Sequence, residues 1–128
     1  MTALDNWHAV LKSRDVKALN ALLADDAVLH SPVVHTPVAG KKMVALYLTA
    51  ALHIFANETF TYVREIADDS NAILEFTTTI DGILVNGVDM IKWNEAGQIT
   101  DFKVMVRPLK AMTIVHQKMG EMLEKLKH

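Results

Sequence analysis

The feature of this sequence that most constrains its fold is a change in the spacing of apolar residues near residue 57. Before that point apolar side chains recur every three or four residues, as in a helix. After it they alternate with polar ones, as in a strand. Helical spacing returns after Pro108. A chain that keeps its helices and strands largely in separate blocks is typical of the α+β class, in which helices cover one face of a sheet.

The first half of the chain carries start signals for three helices. Thr2 and Asp5 have the spacing of a capping pair for the first of them. Asp15 suits the start of a second helix, which is predicted to bury Val16, Leu19, Leu22 and Leu23. A third helix is predicted from Lys41 to about Ala56, with Ala50 on its polar face.

The second half of the chain predicts strands. Residues 60–66, 72–80, 85–93 and 99–106 are each expected to form one, after a short first strand at 27–30. Asp81-Gly82 predicts a tight hairpin turn. Asn86-Gly87 falls inside a strand, where we expect a bulge. Pro108 ends the last strand, and a C-terminal helix is predicted over residues 109–126. We therefore expect a single domain over residues 1–128.

Composition argues against several classes of function. A net charge of −2 argues against nucleic-acid binding. No apolar run is long enough to cross a membrane, and the first five residues lack the features of a signal peptide, so we expect a cytoplasmic location. The chain has no Cys, and its six His residues, from His8 to His128, form no HxH or HExxH pattern. Neither a metal site nor a cofactor is therefore expected.

Several segments resemble the superfamily of ketosteroid isomerases, SnoaL-like proteins and nuclear transport factor 2-like proteins. Leu22–Val28 is similar to its helix-to-strand junction, Val88–Gly97 to a strand and turn that carry a catalytic Asp, and Val106–Leu109 to the exit into a terminal helix. This resemblance implies a cone-shaped fold, the cystatin-like or nuclear transport factor 2-like roll. In that fold a curved antiparallel sheet wraps on N-terminal helices and encloses a pocket for a hydrophobic small molecule.

The same resemblance implies where catalytic groups lie. Isomerases of this superfamily use an Asp base before a Pro, together with a Tyr and a protonated Asp that bind the substrate oxygen. Here Ser31 stands at the position of the base, Trp7 at that of the Tyr and Asp89 at that of the protonated Asp. Leu48 stands where a supporting Tyr lies. Because serine is not basic at neutral pH, we predict no steroid isomerisation of the usual kind.

Three residues are the candidate catalytic groups. Alternation along its strand predicts that Asp89 faces an apolar interior, where burial keeps a carboxyl group protonated. The alternative is a solvated carboxylate on a reversed register, or one that only bonds to Trp7. His30 and His35 flank the loop that lacks the base, and histidine titrates near neutral pH. In the alternative, both side chains face solvent or bond to the loop backbone.

A ligand-binding pocket is expected in the register that the resemblance implies. Its predicted lining is Trp7, Ser31, Tyr47, Phe76, Thr78, Ile80, Ile91, Phe102 and Val104. Such a lining suits a flat hydrophobic molecule. The alternative is a filled core, since apolar stripes on strands ordinarily pack against each other.

The opposite face of the last strands is also apolar. It is predicted to carry Leu84, Val88, Met90, Ile99 and Met105. Because exposed sheets are rarely so apolar, and because sheet-to-sheet dimers are common in the superfamily, we expect a homodimer with an isologous interface. The terminal helix has three open roles: a lid over the cone, a contact with the partner subunit, or packing on its own sheet, which is the default.

Two functions remain open at this point. One is an enzyme that isomerises or cyclises an apolar carbonyl compound, with Asp89 as acid or hydrogen-bond donor and His30 or His35 as base. The other is a non-catalytic ligand-binding or dimerisation domain. The lack of an obvious base favours the second function, and the many enzymes of the superfamily favour the first.

Overall fold

The computed structural model describes residues 2–127, and in that range it contains four helices and six strands. Met1 and His128 lie outside the described residues. In chain order the elements are α1 Ala3–Ser13, α2 Val16–Leu22, β1 Leu23–His30, β2 Val38–Ala39, α3 Lys41–Phe55, β3 Thr61–Ala67, β4 Asn71–Ile80, β5 Ile83–Trp93, β6 Ile99–Arg107 and α4 Leu109–Lys127. The α+β class is confirmed.

The six strands form one sheet in the order β2-β1-β6-β5-β4-β3. Strands β3 to β6 make the predicted antiparallel meander. β1 pairs in parallel with β6 and antiparallel with the two-residue β2. Burial alternates strictly along β4 and most of β5, so the sheet has one face against the helices and one away from them. We call these the inner face and the outer face.

The residues predicted to cap α1 and α2 and to form the hairpin turn do so in the structure. The backbone N–H of Asp5 donates to Thr2 Oγ1 at 3.1 Å, and the N–H of Thr2 donates to Asp5 Oδ2 at 3.2 Å, which completes a capping box. Asp15 caps α2 by accepting from the N–H of Lys17 at 2.9 Å. Asp81-Gly82 turns the chain between β4 and β5 with positive φ at both residues.

The predicted burial of Val16 is wrong, and Leu23 is buried as predicted but lies outside α2. Val16 is exposed, because the first residue of the helix lies at the edge of the fold. Leu23 is buried but belongs to β1, because α2 ends at Leu22 and the chain passes directly into the strand. The first strand is therefore four residues longer at its start than the predicted 27–30.

The interior contains two clusters of buried apolar side chains. The first lies between helices α1 to α3 and the inner face, and includes Trp7, Leu48 and Phe102. The second lies beneath α4, whose buried residues are Ala111, Ile114, Val115 and Met119. They pack against α3 and the inner face, so the default role of the terminal helix is confirmed. Ala50 was predicted on the polar face of α3 but is fully buried, because α4 covers that side.

Two β-bulges, one in β6 and one in β3, decide which nearby residues face inward. The pairing of β5 with β6 shifts between Lys92 and Trp93, where Thr100 is the extra residue. Ile99, predicted on the outer face, therefore lies in the core at 1% exposure. The pairing of β3 with β4 shifts between Tyr62 and Arg64, where Val63 is the extra residue.

No bulge occurs at Asn86-Gly87, and that prediction is wrong. Residue pairing runs without interruption through Phe76 opposite Gly87 and Thr77 opposite Asn86. Glycine is required for a different reason. A Cβ at Gly87 would overlap the ring of Phe76 and lie 2.9 Å from the carbonyl oxygen of Met105. The position therefore reflects a close approach of neighbouring groups, which sequence alternation does not reveal.

The outer face keeps several large apolar side chains exposed. Ile66 and Leu84 are each 64% exposed, and Met105 is 52% exposed. None of the described helices lies over this face to cover them. Within residues 2–127, no helix is both long and apolar enough to cross a membrane.

Candidate functional site

Asp89 lies in the middle of β5 and points into the interior. Its neighbours at alternate positions, Gly87 and Ile91, are buried on the same inner face, so the predicted orientation agrees with the structure. The side chain is only 6% exposed, and Tyr62 donates its hydroxyl hydrogen to Asp89 Oδ2 at 2.7 Å. Burial raises the pKa of Asp89 from 3.8 to about 7, and the hydrogen bond from Tyr62 opposes part of that rise.

Tyr62 connects Asp89 to a second buried residue. The indole Nε1–H of Trp7 donates to the Tyr62 hydroxyl oxygen at 2.9 Å, so the hydroxyl accepts one hydrogen bond and donates another. Burial, followed by the charge of Asp89, raises the pKa of Tyr62 well above its ordinary value. The phenol therefore stays protonated at all physiological pH values. Trp7, Tyr62 and Asp89 form one hydrogen-bonded chain, and Trp7 bonds to Asp89 only through Tyr62.

Tyr62 also lines a surface cleft between α1 and β3, which we call the α1–β3 cleft. Its volume is about 470 Å³, within the range of small-molecule sites. Besides Tyr62, its lining includes Leu11 and Phe60 as apolar walls and Lys12 and Arg14 as cations. Arg14 also donates to the carbonyl oxygen of Ala56, which joins α1 to the end of α3. Both ends of the hydrogen-bonded chain, Trp7 and Asp89, are therefore buried, and its middle member, Tyr62, borders a surface cleft.

A histidine and a carboxylate flank Tyr62 in this cleft. His8 Nε2 lies 2.6 Å from Glu65 Oε1, and both side chains are about 40% exposed. The His8 ring centroid lies 5.8 Å from that of Tyr62. Glu65 faces His8 because of the bulge at Val63, which puts Tyr62 opposite Phe76 and Glu65 opposite Leu74 on the inner face.

The structure does not bring His30 or His35 together with Asp89. At the end of β1, Ala27 and Leu29 are buried, so His30 faces the outer side, where its Nε2 lies 3.1 Å from Asp101 Oδ1. His35 is exposed in the loop between β1 and β2. Neither residue lines the α1–β3 cleft.

Ser31 begins the loop that follows β1. Its Oγ accepts a hydrogen bond from the N–H of Val33 at 3.3 Å. It borders a separate cleft of about 320 Å³ together with Lys103 and Met112. That cleft has no lining residue in common with the α1–β3 cleft.

Most of the predicted pocket residues lie in the core. Trp7 packs edge-on against Phe102 at 4.9 Å between ring centroids. Tyr47 is partly buried between the two clusters, which also contain Phe76, Ile80, Ile91 and Val104. These contacts favour the filled-core alternative for this part of the predicted lining, because α4 and the aromatic rings occupy the inner face.

Thr78 has a structural hydrogen-bonding role. It is 1% exposed, and its hydroxyl donates to the carbonyl oxygen of Phe55 at 3.1 Å. It also lies 3.2 Å from Asn57 Oδ1. Both contacts fix the chain as it leaves α3, so the polar group of Thr78 is satisfied within the protein.

Sequence reasoning missed three of the residues in this arrangement: His8, Tyr62 and Glu65. Tyr62 could have been noticed in the sequence, because it is the one tyrosine in the predicted strand 60–66. The sequence did not indicate that Glu65 faces inward, since strict alternation from Tyr62 puts residue 65 on the opposite face. Within residues 2–127, no group of three or more His, Asp or Glu side chains has the geometry to hold a metal ion.

Comparison with known proteins identifies a family that this sequence matches. The SnoaL-like domain matches residues 4–102. A crystal structure described as a steroid delta-isomerase from Pseudomonas aeruginosa is 36% identical with a TM-score of 0.90, over 97% of this chain and 90% of that one. An uncharacterised protein with a cystatin-like fold from Silicibacter pomeroyi DSS-3 is 29% identical with a TM-score of 0.85, over 93% of this chain and 83% of that one. No curated protein matches the sequence.

A more distant likeness extends only to the fold. A nuclear transport factor 2-like protein of unknown function from Mesorhizobium loti is 19% identical with a TM-score of 0.70, over 83% of this chain and 88% of that one. Together these likenesses confirm the cystatin-like, nuclear transport factor 2-like fold that the residues resembled. Because the domain match runs through well over half of its length, this protein belongs to the SnoaL-like family.

Proposed function

We propose that this protein binds a small, flat carbonyl compound in the α1–β3 cleft and moves a proton next to the carbonyl group. Such a reaction is of the isomerase or cyclase type. The observation that carries the proposal is Tyr62, a residue that lines the cleft and whose hydroxyl is hydrogen-bonded to buried Trp7 and buried Asp89. The 36% identity to a protein described as a steroid delta-isomerase supports the reaction class.

The protonation state of Asp89 controls what Tyr62 offers to a ligand. When Asp89 is ionised, the Tyr62 hydroxyl hydrogen is donated inward to the carboxylate. When Asp89 is protonated, its own O–H donates to the Tyr62 oxygen, and the phenolic hydrogen is free to point into the cleft. Tyr62 then accepts two hydrogen bonds while donating one, and such chains strengthen the terminal donor. A ligand oxygen that gains negative charge during the reaction is stabilised by that donor.

This proposal does not use the base of the ketosteroid isomerases. Ser31 stands at that position, borders a different cleft and has no basicity at neutral pH. The substrate is accordingly defined by the α1–β3 cleft: a molecule with a ketone or enol oxygen and an apolar ring system that fits beside Leu11 and Phe60.

The test is the binding of 2-naphthol, a flat phenol that resembles an enol, to wild type and to Tyr62→Phe. Loss of the hydroxyl is expected to weaken binding about tenfold or more, because a hydrogen bond to a charged or polarised oxygen contributes roughly 1–3 kcal/mol. Fluorescence titration at pH 6 and pH 8.5 measures the affinity. Binding by wild type is expected to weaken at the higher pH, since the pKa of Asp89 is about 7.

Tyr47→Phe is the matched control, because Tyr47 is the only other tyrosine and packs between the two core clusters. It is expected to bind 2-naphthol as wild type does. Equal affinities of wild type and Tyr62→Phe would refute the proposed role of Tyr62. Failure of wild type to bind would favour the second candidate function, a non-catalytic dimerisation domain, which the filled inner face supports.

We also propose that the protein is a homodimer that pairs through the outer faces of two sheets. A groove of about 390 Å³ crosses this face, and its apolar lining includes Ile66, Ile73 and Met105. Arg64 lies 3.6 Å from Glu75 beside the groove, so polar groups border the apolar strip. An apolar centre with a polar rim is the usual arrangement of a protein interface.

A further inference from the structure

We infer that His8 is the base of the proposed reaction and that Glu65 positions its ring. This inference rests on the proposed function of the α1–β3 cleft. His8 and Tyr62 line the same cleft with ring centroids 5.8 Å apart, so one ligand can touch both. The sequence offered His30 and His35 for this role, but neither lines the cleft.

The local structure orients Glu65 toward His8. If Val63 were paired as a regular residue of the ladder, alternation along β3 would turn Arg64 inward and Glu65 outward. With the bulge, Tyr62 and Glu65 share the inner face, and Glu65 Oε1 reaches His8 Nε2 at 2.6 Å. Bulges are often found next to active sites, where they redirect a side chain in this way. A guanidinium beside His8 would repel an imidazolium, whereas a carboxylate stabilises it.

The geometry leaves one ring nitrogen of His8 available. When Nε2–H donates to ionised Glu65, the tautomer is fixed and Nδ1 carries the lone pair. The side chain is 39% exposed, so a ligand in the cleft has access to it. His8 and Glu65 therefore have the geometry of a base and the group that orients it.

The proposed step is a proton transfer from carbon. Nδ1 of His8 takes a hydrogen from the carbon next to the ketone, and that C–H bond breaks. Its electron pair forms the carbon–carbon double bond of an enolate, whose oxygen accepts the hydrogen bond from Tyr62. The imidazolium then returns a proton to the same carbon or to a conjugated one, so no other reactant is consumed.

The test is exchange of the α-hydrogens of 2-tetralone in D2O, followed by proton nuclear magnetic resonance. His8→Gln is expected to lower the exchange rate by about 10²-fold or more, the usual contribution of a general base. Glu65→Gln is expected to lower kcat by less and to leave KM unchanged, because the carboxylate acts on the reaction through the ring of His8. His8→Ala with added imidazole is expected to recover part of the rate, which a purely structural role would not allow.

The chain supplies a matched control. His30 and Asp101 form a second His–carboxylate pair of similar exposure on the outer face, so His30→Gln and His30→Ala with imidazole are expected to behave as wild type. Exchange by wild type that His8→Gln leaves unchanged would overturn the assignment of His8 while leaving the proposed function intact. No exchange by wild type would overturn both. Loss of exchange with retained 2-naphthol binding in His8→Gln would support the assignment.

Discussion

Asp89 combines a carboxyl group with almost complete burial, and Tyr62 is its hydrogen-bond partner. An ionised carboxylate in such a position destabilises the folded state, because the interior does not replace the hydration that the charge has in water. The residue therefore binds its proton more tightly in the folded protein than in the unfolded chain. This difference couples folding stability to pH.

Stability is expected to fall as pH rises from about 4 to about 7. In that window the folded state holds the proton of Asp89, whose pKa is about 7, while the unfolded chain, with a pKa near 3.8, has lost it. The free energy of unfolding contributed by this group is fully present below pH 4, and the loss amounts to about 4 kcal/mol above pH 7. Asp89→Asn is expected to lack this decline.

Urea unfolding at pH 4 and pH 8 measures the effect, as the difference between wild type and variant at each pH. Asp26→Asn is a suitable control, because Asp26 is exposed on β1. It is expected to keep the wild-type pH dependence. An Asp89→Asn protein that loses as much stability as wild type between the two pH values would show that folding does not raise the pKa of Asp89.

At the scale of secondary-structure elements, local chemistry explains what the sequence could and could not predict. The capping box at Thr2 and Asp5, the cap at Asp15 and the hairpin at Asp81-Gly82 depend on neighbouring residues, and all three were predictable. The inward direction of Asp89 followed from simple alternation. These features set the fold and the buried end of the candidate site.

The remaining features depend on contacts between distant parts of the chain. Ile99 and Glu65 lie next to bulges that shift the pairing of neighbouring strands, and alternation alone predicts the wrong face for each. Ala50 is buried because α4 folds back on α3. His8 and Glu65 are 57 residues apart in the sequence, so no local motif predicts that they meet.

Helix α4 is expected to stabilise the fold without taking part in binding. Val115 is fully buried in the cluster beneath α4, so Val115→Ala is expected to lower the free energy of unfolding by about 2 kcal/mol through lost burial and a small cavity. No residue of α4 lines the α1–β3 cleft, so the affinity for 2-naphthol should not change. Thermal unfolding and fluorescence titration measure the two quantities.

His116→Ala, at the exposed neighbouring position, is the control and is expected to match wild type in both measurements. A Val115→Ala protein with weakened binding and unchanged stability would contradict the packing role and favour a lid.

At the scale of the whole molecule, the two faces of the sheet differ in what covers them. The inner face holds the core and Asp89, and the outer face leaves an apolar groove uncovered in the single chain. With a mass of 14.2 kDa, one chain is small enough that a dimer is readily distinguished by sedimentation. The proposed interface is therefore open to a direct test.

The double variant Ile73→Lys and Met105→Lys is expected to be monomeric, because two like charges on each subunit would meet across an isologous interface. Sedimentation velocity measures the mass of wild type and variant. Val16→Lys, which adds a charge at an exposed apolar residue of α2, is the control and is expected to remain dimeric. A wild-type protein that sediments as a monomer at micromolar concentration would exclude the dimer.

The bulge at Val63 also has a consequence for how relatives of this chain are aligned. Because Val63 is the unpaired extra residue of β3, a chain lacking it would keep Tyr62 opposite Phe76 and Glu65 opposite Leu74. Evolution can therefore delete this codon without reversing either inward-facing residue. Relatives that differ here by a one-residue gap are expected to direct both positions to the cleft, whereas an equal gap in the regular ladder of β4 would exchange the two faces of that strand.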